Sequence, residues 1–347
     1  MAPQLDLFAD PSQDPAPAAD GGARGAKKTA PPISPATAPA ELAALAERLP
    51  KNLRFGTSSW AYPGWSGIVY DLPHSQQRLA REGLAAYARH PLMRAVGIDR
   101  SYYAPPRTDE FAAYAAAVPA DFRFLVKAHE ACTTAVWPKH QRYGKVRGQP
   151  NERFLDPVYA SEFVVAPAVE GLGETLGPLL FQFAPQDFGA LGGARWLVDR
   201  LRRFLDGLPR GPLYAVELRN RELMTGAYAA ALAEFGACHC INVYPSMPPA
   251  RAQRSRVRQD QAPALVCRWM LHPSMNYERA EARYDPFDHL VDEDPGNREE
   301  VARVCLETDV DLPVYVIVNN KAEGSSPRTI ARLALRIAEL DASRAAG

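Results

Sequence analysis

The stretch YAVELRN at residues 214–220 sets Glu217 and Arg219 at alternate positions of an apolar run. Side chains alternate across a strand, so Val216 and Leu218 face one side and the two charges face the other. An isolated buried charge is strongly disfavoured, so the charged face must look into an interior that supplies partners. The pattern recurs. In FRFLVKA (122–128), Phe124 and Val126 pack outward and Lys127 turns inward. In LVCRWMLH (265–272), Arg268, Met270 and His272 share a face, and in IDRSYY (98–103), Asp99, Ser101 and Tyr103 share one. Glu217 is therefore expected to meet Arg268, Arg219 or Lys127.

Working outward, β-rich runs occupy residues 53–60, 95–103, 122–129, 179–184, 213–219, 237–244, 264–271 and 313–319. Helix-period segments fall between most of them, at 76–89, 109–118, 161–169, 195–208, 222–235 and 298–308, with a last one at 328–340. Thr108, and Ser326 before Pro327, are helix-start signals in the right places. This alternation indicates a parallel sheet, and eight is the number of strands that closes one. The predicted fold is α/β, a (β/α)8 TIM-type barrel over residues 53–340. A doubly wound open sheet is the alternative.

The chain has 347 residues, 47% of them hydrophobic, enough for one large barrel. Lys+Arg and Asp+Glu are 40 each, so any attraction for nucleic acid must come from local clusters, not net charge. Cys132, Cys238, Cys240, Cys267 and Cys305 form no CxxC and read as buried reduced thiols, which suits a cytoplasmic protein. No signal peptide and no membrane span is legible. Residues 1–40 separate from a barrel domain at 41–347. The Pro/Ala/Gly-rich part of that tail reads as a disordered linker, too poor in apolar surface to offset its ordering entropy. ELAALAERL at 41–49 reads as a short helix leading into the barrel.

In such barrels the chemistry gathers where strands end. Those ends carry Ser58 and Trp60, Asp99 and Tyr103, Lys127 followed by His129 and Glu130, Gln182, Glu217 and Arg219, Arg268 and His272, and Asn319 and Asn320. One inward Arg–Glu pair would be a structural strut. Convergence from this many strands points to a site, because buried charge is a poor way to stabilise a fold. The expected catalytic set is Lys127, Glu217, Asp99 and His272. Lys127 and Arg268 would stabilise anionic charge, Glu217 or Asp99 would act as general acid/base, and His272 would share proton transfer. Ser58, Trp60, Tyr103, Gln182, Arg219, Arg268, Asn319 and Asn320 are the expected substrate-binding residues.

Six ordered motifs, FGTSSWAYPGWS (55–66), GIDRSYYAPP (97–106), FRFLVKA (122–128), LGPLLFQFAP (176–185), YAVELRN (214–220) and VYVIVNNKAEGSSP (314–327), resemble those of the YecE-like family (domain of unknown function 72). The resemblance implies a TIM-barrel fold and brings no reaction, since the family's activity is not established. Two departures stand out. Asp99 takes the place of the family's usual glutamate, leaving the pocket floor one methylene wider, and Pro273 follows His272 where glycine is usual, altering the turn.

Two segments are basic without an acid. Residues 131–151 hold Lys139, His140, Arg142, Lys145 and Arg147, and residues 246–259 hold Arg251, Arg254, Arg256 and Arg258. Both follow strand C-termini, so both are expected to rim the mouth, with Trp137, Tyr143 and Tyr277 nearby. Such a rim suits phosphate backbones and base stacking. The alternative is solvated loops balanced by Glu281, Asp285, Asp288 and Asp292 to Asp294. Near the N-terminus, Gln4, Leu5, Asp6, Leu7 and Phe8 resemble the peptide by which many bacterial replication and repair proteins dock on the DNA polymerase β sliding clamp. Leu7 and Phe8 would enter an apolar groove while Gln4 bonds a neighbouring pocket, and a flexible linker suits tethering.

There is no Walker-type phosphate loop, no GxGxxG after a strand, no HExxH and no paired cysteine set. No cofactor is expected. His129, Glu130, Glu217, His239 and His272 could surround a divalent metal, but their spacing supports none. The reading that unites these features is a clamp-tethered, hydrolase- or phosphodiesterase-like enzyme acting on a phosphate-bearing substrate in DNA replication or repair. The rivals are a non-catalytic nucleic-acid or anion-binding module, and a small-molecule metabolic enzyme with an accidental tail motif.

Overall fold

Apolar side chains fill the outward positions of the strands, and burying that face draws a coat of helices over them. The computed structural model describes residues 31–258 and 262–345. Strands β1 (Leu53–Thr57), β2 (Met93–Ile98), β3 (Arg123–Lys127), β4 (Leu176–Phe183), β5 (Tyr214–Leu218), β6 (Cys238–Val243), β7 (Leu265–Trp269) and β8 (Val314–Val318) run parallel in sequential order, and β1 pairs with β8 to close the barrel. The open-sheet alternative is thereby excluded.

The helices are α1 (Ala40–Glu47), α2 (Gln76–Glu82), α3 (Leu84–Tyr87), α4 (Thr108–Ala116), α5 (Pro157–Ala160), α6 (Ala166–Leu172), α7 (Gly193–Gly207), α8 (Gly226–Phe235), α9 (Ala250–Val257), α10 (Tyr277–Tyr284), α11 (Pro295–Leu306) and α12 (Ser326–Ala345). The expected helix at 76–89 is broken at Gly83, where an added Cβ would lie 2.7 Å from the Leu79 carbonyl oxygen. The expected helix at 161–169 is the middle of a longer unit in which a π turn at Ser161–Val165 joins α5 to α6. Helices α9 and α10 lie in segments expected to be loops. None of the described helices is long and apolar enough to cross a membrane.

Part of the expected linker is packed on the barrel. Ile33 is buried, the Ala36 N–H donates to Val69 O at 2.9 Å, and Pro35 bridges to Tyr70. The peptide at residues 4–8 lies outside the described residues. All five cysteines are buried and free.

Inward side chains form layers. Ala95, Leu125, Leu180, Ala215, Cys240, Val266 and Ile317 make a dry middle. One step further along the strands come Lys127, Gln182, Glu217, Asn242 and Arg268, with Gln182 in register beside Glu217 and Asn242 beside Arg268. The outward Phe124, Val126, Val216 and Leu218 belong to the helix-facing core, as the alternation predicts. Closure is tight at β1, where a Cβ on Gly56 would lie 2.3 Å from the Ala95 carbonyl oxygen of β2. Gly56→Ala is expected to destabilise by about 1–3 kcal/mol through overpacking, while Gly226→Ala, facing open space, is neutral. Urea midpoints of the two variants check this.

Candidate functional site

The charged layer begins with two carboxylates that cannot stay buried alone. Glu217, with no exposed surface, accepts from Arg268 Nη1 at 2.7 Å and from Arg219 Nε at 2.9 Å. Arg268, equally buried, also donates from Nη2 to both oxygens of Asp99 at 3.0 Å. Burial alone would raise the Glu217 carboxyl; Arg268 and then Arg219 overcome it and hold the group at about 2. The expected pairing of Glu217 with Arg268 and Arg219 holds, and Asp99 joins it.

Lys127 stands beside this chain of pairs without entering it. Its side chain ends 3.6 Å from the centroid of the Tyr102 ring, and among the described residues it forms no ion pair. Burial pushes the amine down to about 7; Asp99 opposes that shift, while Arg268 and Arg219 reinforce it. Lys127 thus titrates far below an ordinary lysine.

Strand two departs from the predicted alternation. It ends at Ile98, and Asp99–Tyr102 is a 3-10 turn held by the Ser101 hydroxyl, which lies 2.5 Å from both the Ile98 and the Lys127 carbonyl oxygens and donates to one of them. A turn of three residues rotates Tyr102 under Lys127 and moves Tyr103 to the rim. Tyr103 packs edge-on against Tyr102, with Arg142 5.1 Å above its ring. Arg142 pairs with Glu130 at 2.5 Å, and the Tyr143 hydroxyl donates to the same carboxylate at 3.0 Å. Burial raises the Glu130 carboxyl, against Arg142, Tyr143 and Lys127.

Several expected residues serve other ends. Trp60 is buried toward the helices; its Nε1 donates to Leu79 O at 3.1 Å and its ring meets Tyr114 edge-on. Asn320 accepts from the Ser326 N–H at 2.8 Å and from its hydroxyl at 2.7 Å, securing the start of α12. Asn319 donates to Ser58 Oγ at 3.3 Å, tying β8 to β1. Gln182 is buried with an unpartnered Oε1. His272 bonds Ser274 Oγ through Nδ1 at 2.8 Å instead of joining the charged layer. Arg268 spends both of its Nη groups on Glu217 and Asp99, which makes it a strut, not a free anion handle, and its buried Nε has no partner among the described residues.

The two basic segments differ. Residues 136–150 form a hairpin-like loop closed by the Trp137–Gln149 backbone bond at 3.0 Å, directly beyond the end of β3. Its Lys139, Lys145 and Arg147 are exposed and, among the described residues, form no ion pair. The expected second basic rim is instead α9, which turns back along the outside of the barrel. Arg254 donates to Val304 O, Glu307 O and Thr308 Oγ1 at 2.8–2.9 Å, at the segment feeding the opposite, N-terminal end of β8. Arg251 pairs with Glu307 at 3.2 Å, and Arg256 and Arg258 are exposed further along the same helix end. Of the acids expected to balance the loops, Glu281 is occupied by Lys321 and Asp292 by Arg283.

The residues considered for a metal also have separate partners. His129 Nδ1 bonds Tyr159 at 2.7 Å, while His239 faces the helices between Tyr228 and Gln253. Among the described residues no three His, Cys, Asp or Glu side chains form a ligand group.

A closed parallel β/α barrel with ionisable side chains on one layer at its strand C-terminal ends is a TIM-type barrel. The chain belongs to the family described as Protein of unknown function DUF72, whose pattern matches residues 54–346. It is similar to the DUF72 family protein TM1631 of Thermotoga maritima, at 19% identity over 83% of this chain and 99% of that one, with a TM-score of 0.55. It is also similar to EF0366 of Enterococcus faecalis, at 17% identity over 83% of this chain and 94% of that one, with a TM-score of 0.51. No curated protein matches.

Tyr102, Arg142 and Glu130 are the site residues whose roles the alternation misses. The adjacent pair Tyr102 and Tyr103 was the available signal, but choosing between them required knowing where the strand stops. Arg268→Met is expected to cost about 3–5 kcal/mol, because Glu217 and Asp99 lose their partner, and Glu217→Gln in the same chain recovers part of it. Denaturant unfolding of the single and double variants measures this. The Glu217 carboxyl is held below its unfolded value of 4.5, so its stabilisation is complete above that pH. It is lost as pH falls toward about 2, and Glu217→Gln flattens that part of the acid-unfolding curve.

Proposed function

We propose that this protein is an enzyme acting by acid–base chemistry on a phosphate-bearing substrate, nucleic acid or nucleotide-like, at the C-terminal mouth of the barrel. The observation that carries the reading is Lys127: a buried amine with no ion pair among the described residues, beside two carboxylates already claimed by arginines and next to a loop whose Lys139, Lys145 and Arg147 are likewise unpaired among those residues. Lys127 serves as general base and Glu130, its carboxyl raised by burial, as general acid. Lys139, Lys145 and Arg147 attract phosphate, Arg142 and Arg219 receive it nearer the reacting centre, and Tyr103 and Tyr143 offer faces for stacking. Asp99, Glu217 and Arg268 hold the layer rigid. Phosphodiester hydrolysis is the reaction class that suits this set.

The peptide Gln4 to Phe8 tethers the enzyme to the sliding clamp and so links it to DNA replication or repair in a bacterial cytoplasm. Its chemistry supports this: adjacent Leu7 and Phe8 for an apolar groove, a glutamine beside them, and a Pro/Ala-rich stretch before the barrel.

Wild type and Lys127→Gln are compared on oligonucleotides, phosphodiesters and phosphomonoesters. Turnover is expected to fall by about 100-fold or more in the variant, with binding retained. The rate should rise with pH through about 7, because the neutral amine is the active form, and Lys127→Gln should remove that limb. Salt-sensitive oligonucleotide binding without turnover would favour the non-catalytic module. Replacing Lys139, Lys145 and Arg147 by alanine should lower the slope of log affinity against log salt by roughly 1 per cation removed. Clamp binding of a residue 1–10 peptide should vanish with Leu7→Ala and Phe8→Ala; equal binding ends the tethering proposal.

A further inference from the structure

We propose that Lys127 is an imine-forming nucleophile, and that the substrate carries an aldehyde or ketone carbonyl as well as its phosphate. The inference rests on the preceding reading for the phosphate alone; the carbonyl comes from the surroundings of the amine. Each carboxylate near Lys127 is committed elsewhere. Asp99 gives both oxygens to Arg268, Glu217 is held by Arg268 and Arg219, and Glu130 by Arg142 and Tyr143. A lysine kept to neutralise a carboxylate would be paired with one. A lysine kept to collect phosphate would extend into solvent, as Lys139 and Lys145 do. Lys127 does neither. It is fixed at the last residue of β3, retains 9% of its surface at the mouth, and rests on the face of Tyr102.

The charge balance points the same way. Asp99 and Glu217 are matched one for one by Arg268 and Arg219, so the layer is neutral while Lys127 is neutral, and a protonated Lys127 would leave a buried excess positive charge. Neighbouring cations and burial are the two means by which a lysine amine is kept unprotonated and nucleophilic. Both act here, and the amine sits at about 7.

The step is a condensation. The Lys127 Nζ lone pair forms a bond to the carbonyl carbon, the carbonyl π pair moves to oxygen, and the amine's surplus proton passes to that oxygen, giving a carbinolamine. The C–O bond then breaks and the nitrogen lone pair forms C=N. A proton from solvent at the mouth lets the hydroxyl leave as water, and the Glu130 carboxylate stays paired with Arg142. The products are an iminium on Lys127 and one water, the consumed proton being the one solvent supplied. No oxidant or reductant is needed.

The full-length protein is incubated at neutral pH with glycolaldehyde phosphate or with glycolaldehyde, reduced with cyanoborohydride, digested and mapped by mass spectrometry. The adduct on Lys127 should exceed that on Lys139 or Lys145 about tenfold or more, because ordinary lysines are almost wholly protonated at that pH. Lys127→Arg should lack that adduct while Lys139 and Lys145 react as before. Labelling of Lys127 no greater than of the two loop lysines overturns the inference, and this comparison is made within the wild-type protein, independent of any variant's folding. Equal trapping of the two aldehydes supports the imine and overturns the phosphate reading. Salt-sensitive oligonucleotide binding with no excess adduct on Lys127 overturns the imine and leaves that reading standing.

Discussion

The guanidinium of Arg268 has no exposed surface, yet it reaches from β7 to Glu217 on β5 and to Asp99 beyond β2. A charge of this kind is tolerated only where its partners are fully in place, so the pairs constrain the barrel as much as the barrel constrains them. If β2, β5 and β7 were displaced relative to one another, two carboxylates and an arginine would be buried without compensation. Sheet closure and charge pairing therefore select the same arrangement. Arg219 completes the set from the mouth side, where 15% of its side chain remains exposed.

Around this rigid layer the partners are distributed unevenly. Lys127 is excluded from the pairing and rests on an aromatic ring, and Glu130 is held at the base of the basic loop by Arg142 and Tyr143. What each group does for the fold follows from how many partners it has, not from its charge. Arg268 looks like an anion receptor by residue type and is a strut by geometry, whereas Lys127 looks like an ordinary inward lysine and, among the described residues, is left without an ion-pair partner.

Much of the fold was legible because strand alternation is strictly local. Phe124 and Val126 outward, Lys127 inward, and Glu217 and Arg219 on one face all follow from a two-residue period. The reading erred where the backbone left that period. The 3-10 turn at Asp99–Tyr102 exchanged the expected roles of Tyr102 and Tyr103. The arginine-rich segment after β6 carried no apolar stripe strong enough to announce α9, and its helicity depends on packing against α11 and the turn that follows it, which supply the Val304 carbonyl, Glu307 and the Glu307 carbonyl. Trp60 and Asn320 sit at strand ends as expected, but a strand end offers both an inner and an outer direction, and they take the outer one.

By itself the sequence determined that eight parallel strands would carry their charges inward and that those charges would need one another, because periodicity and the cost of an unpaired buried ion act over a few residues or on any interior. Only the tertiary structure decided which charge was left over. Pairing depends on distances between residues 51 and 169 positions apart, as for Arg268 with Glu217 and with Asp99, and such distances exist only once the ring of strands is closed.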